Sequence, residues 1–359
     1  MKTLSHSTTK SMKTLPHLPR NSAGIFSGWR KLVFGVLALT VATVVFAGTG
    51  FSSIVVFGDS LSDTGRLFRL THGGFPPRVA YFDGRQTNGA VWVEYLAGQL
   101  GLGCHLKNYA VVGATTGPSS DVPTGNVWSD TFTGLDGTSL SGQFARYLSD
   151  SGGKVDPAAL YIVEGGANDL IDPLSALLLN PPATTAEFMQ DVQEIATPIV
   201  VNLATIVGTL KALGAQHIAI VNVPDFGKAP RIVGFGPVAS AVVSQVVQVV
   251  NGYVAAQLDG LDAMGGSKIA RIDAFAFIDG VVAAPASFGF TNATGQFMTL
   301  DLPGLTVTFA SANRCAVSQW FFWDDLHPTT RGHAFFAANA LATLRAAFPD
   351  VHFGHEGCR

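Results

Sequence analysis

The chain has 359 residues, 47% of them hydrophobic and 13% charged, with a formal net charge of −3. That supply of apolar residues is enough for a substantial core. No basic run occurs beyond residue 47, so the cationic footprint that nucleic-acid binding requires is missing.

Residues 1 to 31 carry six Lys or Arg and no acid, and Leu32 to Ala47 is apolar and uncharged. Val45-Phe46-Ala47 ends that run on a small residue, before Gly48-Thr49-Gly50. A basic lead, a short apolar core and a small-residue exit form a secretory signal. The run is shorter than the roughly 20 residues that span a bilayer. Residues 1–47 are therefore expected to be a cleaved signal peptide, the alternative being an uncleaved N-terminal anchor. The corresponding location is secreted or periplasmic, or membrane-anchored. Loss of six positive and no negative charges would take the net charge from −3 to −9. A single domain is expected over 51–350, with a short tail at 351–359. Cysteine is sparse, at Cys104, Cys315 and Cys358, and no pair has metal-ligand spacing. One candidate disulfide, Cys315–Cys358, would tie the terminus to the loop before the last motif.

In chain order, Ile54 to Phe57 reads as a buried strand, and Gly58 through Gly65 carries turn and N-cap residues, so a helix is expected to begin within the next few positions. Ser60 would then stand at the carboxyl edge of a sheet, near helix N–H groups that favour negative charge. Thr87 or Asn88 can cap a helix running through Val91, Tyr95 and Leu96. The polar-aromatic lead-in to that helix, from Tyr81 to Gln86, with Phe75-Pro76-Pro77, would cover the sheet edge beside Ser60, either by packing or by touching substrate. Residues 105 to 110 read as a strand that exits at Gly113, and 117 to 137 as a long loop. Leu140 to Leu148 looks helical. Ala159 to Val163 is a strand closed by Glu164-Gly165-Gly166-Ala167-Asn168-Asp169. The apolar run Leu174 to Leu179 suits either a packed helix or the wall of a cleft. Helices are expected over 186–213 and 238–261, and strands over 218–221 and 269–273. A small hairpin fits residues 287–313. Pro328 and Thr329 suit the start of a last helix, reaching about Leu344. Strands alternating with helices indicate an α/β architecture with a parallel sheet.

Of Ser60, Gly113, Asn168, Asp324 and His327, four follow aromatic or apolar runs at expected element ends. In an open parallel sheet such ends converge on one crevice. A serine needs an adjacent base to become a nucleophile, and His327 has the residue type for that task. Asp324 can fix the imidazole tautomer, with Asp325 as its competitor. Asn168 alone could cap a turn, and Gly113 alone could serve a tight turn. His72, His105, His217, His333, His352 and His355 carry no motif and read as surface or packing residues.

The blocks Phe57 to Asp63, Asn108-Tyr109-Ala110 through Gly113, Gly166-Ala167-Asn168-Asp169 and Asp324-Asp325-Leu326-His327-Pro328 occur in the order of the GDSL, or SGNH, serine esterases and lipases. The chain resembles that family over nearly everything after residue 50, and within it the bacterial glycerophospholipid–cholesterol acyltransferase branch. The 114–137 and 287–313 loops have no counterpart in the resemblance. It implies a flavodoxin-like three-layer sandwich, with a five-stranded parallel sheet and helices on both faces. It further implies a triad of Ser60, His327 and Asp324. The oxyanion hole would come from the N–H groups of Ser60 and Gly113 and the Asn168 amide. No cofactor or metal is implied. The expected partner is a small-molecule or lipid ester, with membrane-surface contact an option and no nucleic acid. An acyltransferase with the same acyl-enzyme and a carbohydrate O-acetylesterase are the alternative functions.

Overall fold

Ile54, Val55, Val56 and Phe57 form strand β1, and all four are buried. Such a run needs apolar cover on both faces, which is the environment of a central parallel strand. The computed structural model of the protein describes residues 50–117 and 137–353. The expected signal peptide, nearly all of the 117–137 loop, Cys358 and most of the tail lie outside the described residues.

β1 pairs in parallel with β2 (Leu106–Asn108) on one side and β3 (Leu160–Glu164) on the other. β4 (His217–Val221) and β5 (Ile269–Ile272) complete a five-stranded parallel sheet of order β2-β1-β3-β4-β5. This is the flavodoxin-like order, whose switch point falls between β1 and β3. Ser60 and Asn168 follow those two strands, so the topology itself directs them to one crevice.

The helices cover both faces. Helix α2 (Trp92–Gln99) packs against the last helix, α9 (Thr330–Ala347), which also packs on β5. Helices α3 (Leu140–Asp150), α5 (Thr185–Ala212) and α7 (Pro237–Ala263) pack together as another group. α5 begins with a capping box in which Thr184 Oγ accepts from the Glu187 N–H and the Glu187 carboxylate accepts from the Thr184 N–H. Its buried residues Val192, Ile199, Leu203, Ile206 and Leu210 recur at helical spacing. Each such side chain contributes about 1.5–3 kcal/mol of burial free energy. α5 and α7 are also long and apolar enough to cross a membrane by length and composition. Here their apolar stripes are used in packing against each other and the sheet.

As expected, a helix, α1 (Arg66–Leu70), follows the turn after Ser60 within a few positions. Other boundaries differ from the sequence reading. Thr87 and Asn88 do not cap α2. The N-cap is Val91, whose N–H donates to Glu94 Oε2 at 3.0 Å. Helix α4 (Ala167–Leu179) absorbs both Asn168 and the apolar run after it. A short helix α6 (Pro230–Val233) and helix α8 (Ala274–Ala283) were not anticipated. Asp273 caps α8, its side chain accepting from the Ala276 N–H at 2.9 Å.

The expected hairpin exists as β7 (Met298–Asp301) against β8 (Thr306–Phe309). Beside it, β6 (Asn292–Gln296) pairs in parallel with β9 (Trp320–Phe322). Ala80, Tyr81, Phe297, Met298 and Trp323 form a small second core under this region. Cys104 is disulfide-bonded and Cys315 is an exposed free thiol, so Cys315 does not pair with Cys358.

Candidate active site

β1 delivers the chain to Gly58, whose N–H and carbonyl are both held by the Gln143 side chain, at 2.9 and 2.8 Å. A Cβ at position 58 would lie 2.8 Å from Glu164 Oε2 and 2.9 Å from Ser62 Cβ, so the close approach demands glycine. The turn that follows is closed by the Ser62 and Asp63 N–H groups donating to the Asp59 carbonyl, at 3.1 and 3.0 Å. The buried Asp63 carboxylate accepts from the backbone N–H groups of Arg66, Leu67 and Val112. One side chain thus ties the Ser60 turn to α1 and to the loop that carries Gly113.

Ser60 and His327 are both buried, at 8% and 6% relative exposure. The Ser60 hydroxyl lies 2.9 Å from His327 Nε2. On the far side of the ring, His327 Nδ1 is 2.9 Å from Asp324 Oδ2 and 3.0 Å from Oδ1. Asp324 Oδ1 also accepts from the N–H groups of Leu326 and His327, at 2.9 and 2.6 Å. Burial pushes the Asp324 carboxyl up, but the His327 charge and these hydrogen bonds outweigh it and hold the carboxyl below its ordinary range. Asp324 is therefore an ionised acceptor that fixes the imidazole with its Nε2 lone pair toward Ser60. Asp325 faces away. Its two oxygens each accept from the Arg231 guanidinium at 2.9 Å, and its carbonyl accepts from the Arg231 N–H at 2.8 Å.

Asn168 is buried in the first turn of α4, and its Nδ2 donates to the Ala114 carbonyl at 3.0 Å and to Asp59 Oδ2 at 3.3 Å. Gly113 has φ +78°, in the turn closed by the Ala114 N–H on the Val111 carbonyl at 3.1 Å. That left-handed conformation is the one glycine adopts freely. The fold brings Ser60, Asn168, Asp324 and His327 into one site. Gly113 belongs to the adjoining loop, which the Asp63 carboxylate ties to the Ser60 turn through the Val112 N–H.

That cleft holds ≈ 560 Å³ of space, part of it open to solvent. Ile171, Phe226, Ala229, Ile278, Phe322 and Leu326 supply much of its wall, with Ser60, Asn168 and His327 also in the lining. An apolar hollow with a few convergent polar groups suits an apolar ligand carrying one polar centre. Beneath the serine turn, Asp59 and Glu164 form a buried carboxyl pair. Glu164 Oε2 accepts from the Asp59 N–H at 3.1 Å and from Ser62 Oγ at 3.0 Å. Burial, and then the Glu164 charge, push the Asp59 carboxyl well above its ordinary range. Among the described residues no cluster of His, Cys, Asp or Glu is arranged to hold a metal ion.

Sequence reasoning missed Glu164, Arg231 and Tyr81. The Tyr81 hydroxyl donates to Asp324 Oδ2 at 2.8 Å across 243 positions of chain. A contact so distant leaves no local signature, although the segment containing Tyr81 does stand out as an aromatic lead-in. His333, expected at the surface or in packing, is buried at 3% exposure.

A serine, a histidine and an ionised acid in a hydrogen-bonded row, at the carboxyl edge of a parallel α/β sheet, is the arrangement of the serine hydrolase class. Residues 54–340 match the family described as GDSL-like Lipase/Acylhydrolase, and the chain belongs to that family. It is 27% identical over 299 residues to the thermolabile hemolysin of Vibrio parahaemolyticus, covering 81% of this chain and 63% of that protein. It is 29% identical over 202 residues to the phosphatidylcholine-sterol acyltransferase of Aeromonas hydrophila, covering 56% of this chain and 53% of that one. The matched region thus spans between 53% and 63% of the length of these relatives. Among solved structures, the phospholipase A1 of Streptomyces albidoflavus matches with a TM-score of 0.42 at 14% identity, over 84% of this chain and 99% of that one.

Proposed function

We propose that the protein is an exported serine esterase or lipase that hydrolyses acyl esters, lipid esters foremost, through an acyl-enzyme on Ser60. The observation that carries this reading is the Ser60–His327–Asp324 row standing in the lining of an apolar cleft. In the first half-reaction His327 Nε2 takes the Ser60 proton as Oγ bonds to the ester carbonyl carbon. Asp324 stays ionised and stabilises the imidazolium that forms. The carbonyl oxygen becomes an oxyanion, received by the Ser60 and Gly113 N–H groups and by Asn168 Nδ2. The last gives up its long 3.3 Å contact with Asp59 to do so. One such donor is worth about 3 kcal/mol in the transition state. Collapse breaks the ester C–O bond, and His327 returns the proton to the departing alcohol. Water, deprotonated by His327, then attacks the acyl carbon and releases the acid and Ser60.

A second reading, transfer of the acyl group to an alcohol, is favoured by the likeness to a sterol acyltransferase. The same residues would act, with an alcohol replacing water in the second half-reaction. The apolar cleft disfavours a carbohydrate O-acetylesterase. The basic-then-apolar pattern of residues 1–47 supports export.

The test is a panel of esters from acetyl to long acyl, with acetylated polysaccharide included and sterol or glycerol added in parallel. Medium or long acyl esters are expected to exceed acetyl esters. Ser60→Ala is expected to lose turnover by about a millionfold. Preference for acetylated polysaccharide, or near-normal hydrolysis by Ser60→Ala, would overturn the reading. Sterol or glycerol esters among the products would select transfer.

A further inference from the structure

We propose that Tyr81 is a positioning residue for the reaction, holding the Asp324 carboxylate in register with His327 from a platform built by the 75–81 segment and the 290–309 segment that carries β6, β7 and β8. This rests on the functional reading above. The Tyr81 ring is 8% exposed and sits in the second core with Trp323, Phe297 and Met298. Its hydroxyl donates to Asp324 Oδ2, the same oxygen that lies 2.9 Å from His327 Nδ1. The two Asp324 oxygens thus accept from the Leu326 and His327 backbone, the imidazole and the phenol. A carboxylate saturated in this way is not free to rotate about its Cβ–Cγ bond.

The backbone around the acid is held by the same platform. Trp323, immediately before Asp324, donates from Nε1 to the Ala80 carbonyl at 3.0 Å. Its carbonyl accepts from the Met298 N–H at 2.7 Å, and the Phe322 carbonyl accepts from the Phe297 N–H at 3.1 Å. The Trp323 N–H in turn donates to the His327 carbonyl at 2.8 Å, closing the turn that carries the histidine. Ala80, Trp323 and the start of β7 therefore clamp the main chain, while Tyr81 clamps the side chain. The two segments that belong to none of the catalytic blocks meet at the acid.

Tyr81 does not take part in proton transfer. Burial first, and then the Asp324 charge and hydrogen bond, push the phenol well above its ordinary range, so it remains a donor throughout turnover. The other charged groups nearby are Asp325 and Arg231, which pair with each other, and His327. The His327 charge is in turn felt by Asp59 in the serine turn and by His333 on α9. Besides the imidazole, which already occupies Asp324 Oδ2, none of these donates to that oxygen, so loss of the hydroxyl leaves the carboxylate less neutralised and less fixed.

Tyr81→Phe removes the hydroxyl and keeps the ring in its core. With a soluble short-chain ester, kcat is expected to fall about tenfold with KM nearly unchanged, the size of one hydrogen bond to a charged group. The acidic limb of the kcat/KM profile should move to higher pH, because a less neutralised Asp324 holds the imidazolium more tightly. In proton NMR, the downfield Nδ1–H resonance of the His327–Asp324 pair should shift in Tyr81→Phe. That signal is read in the resting protein, so it tests the positioning role even if Ser60→Ala shows that turnover proceeds elsewhere. An unmoved resonance and an unmoved acidic limb would overturn the proposal, including the case where activity falls only in step with melting temperature.

Discussion

Asp324 and Asp325 are neighbours in sequence with opposite surroundings, and that contrast decides which of them serves the histidine. Asp324 is 6% exposed and accepts from His327, whereas Asp325 is spent on a two-pronged pair with Arg231. Asp324→Asn replaces an acceptor with an amide that stabilises the wrong imidazole tautomer, and kcat is expected to fall by about 10⁴-fold. Asp325→Asn breaks a partly exposed ion pair worth at most about 1 kcal/mol, and kcat should stay within a few-fold of the parent. Steady-state kinetics of both variants, with melting curves to show that each is folded, check this. A large loss confined to Asp325→Asn would contradict the assignment, and small losses in both would indicate a Ser–His pair acting without the acid. At this scale the sequence was informative because the residue types of Ser60, His327 and Asp324, which the fold places in one hydrogen-bonded row, are those a proposed nucleophile, base and acid require. Their order in the chain and the turn residues beside them supplied the rest. The partners of those residues were not legible, since Tyr81 and Glu164 act through contacts that span most of the domain.

Between elements, the junction of α2 with α9 contains a buried histidine. The Trp92 N–H, at the first position of α2 and without an intrahelical acceptor, donates to His333 Nδ1 of α9 at 3.3 Å. Burial, and then the charge of His327, push His333 down to about 3. Unfolded, the same imidazole takes up its proton near 6.5, so between about 3 and 6.5 the unfolded chain binds more protons than the native one. The contribution of His333 is complete above that window and is lost as pH falls through it. At pH 5 the deficit is about 2 kcal/mol. The raised carboxyls Asp59, Asp63 and Glu164 act in the opposite direction, so the comparison must be with a variant rather than with absolute stability. His333→Gln keeps an acceptor for the Trp92 N–H but cannot titrate. Denaturant unfolding at pH 7.5 and 5 should show wild type losing about 2 kcal/mol more than His333→Gln between the two conditions. Parallel losses would contradict it. The elements themselves were legible where a pattern exists, as in β1, α5 and α7. Helix α8 was missed because Ala274-Phe275-Ala276-Phe277-Ile278 is apolar on every side and shows no helical stripe. The start of α2 was misplaced because Thr87 and Asn88 do something else. Thr87 Oγ donates to the Pro328 carbonyl and Asn88 Oδ1 accepts from the Thr330 N–H, joining this segment to the histidine block.

For the molecule as a whole, sheet order places the chemistry. β1 and β3 are adjacent, so the turns after them stand together, and the segment that follows β9 reaches the turn after β1 through His327. Alternation of strands and helices made the α/β class readable, and the strand ends named the site before any coordinates. The 290–309 segment was readable only as a hairpin, because its pairing of β6 with β9 and its core with Tyr81 join segments far apart in sequence. The central claim is that this architecture makes one serine in the chain a nucleophile. The most direct measurement is mass spectrometry of the folded protein after exposure to a fluorophosphonate, with His327→Ala treated alongside. The expected result is a single adduct, on the peptide containing Ser60, which is lost in His327→Ala. An adduct on any other serine, or labelling of Ser60 that is indifferent to His327, would contradict the account.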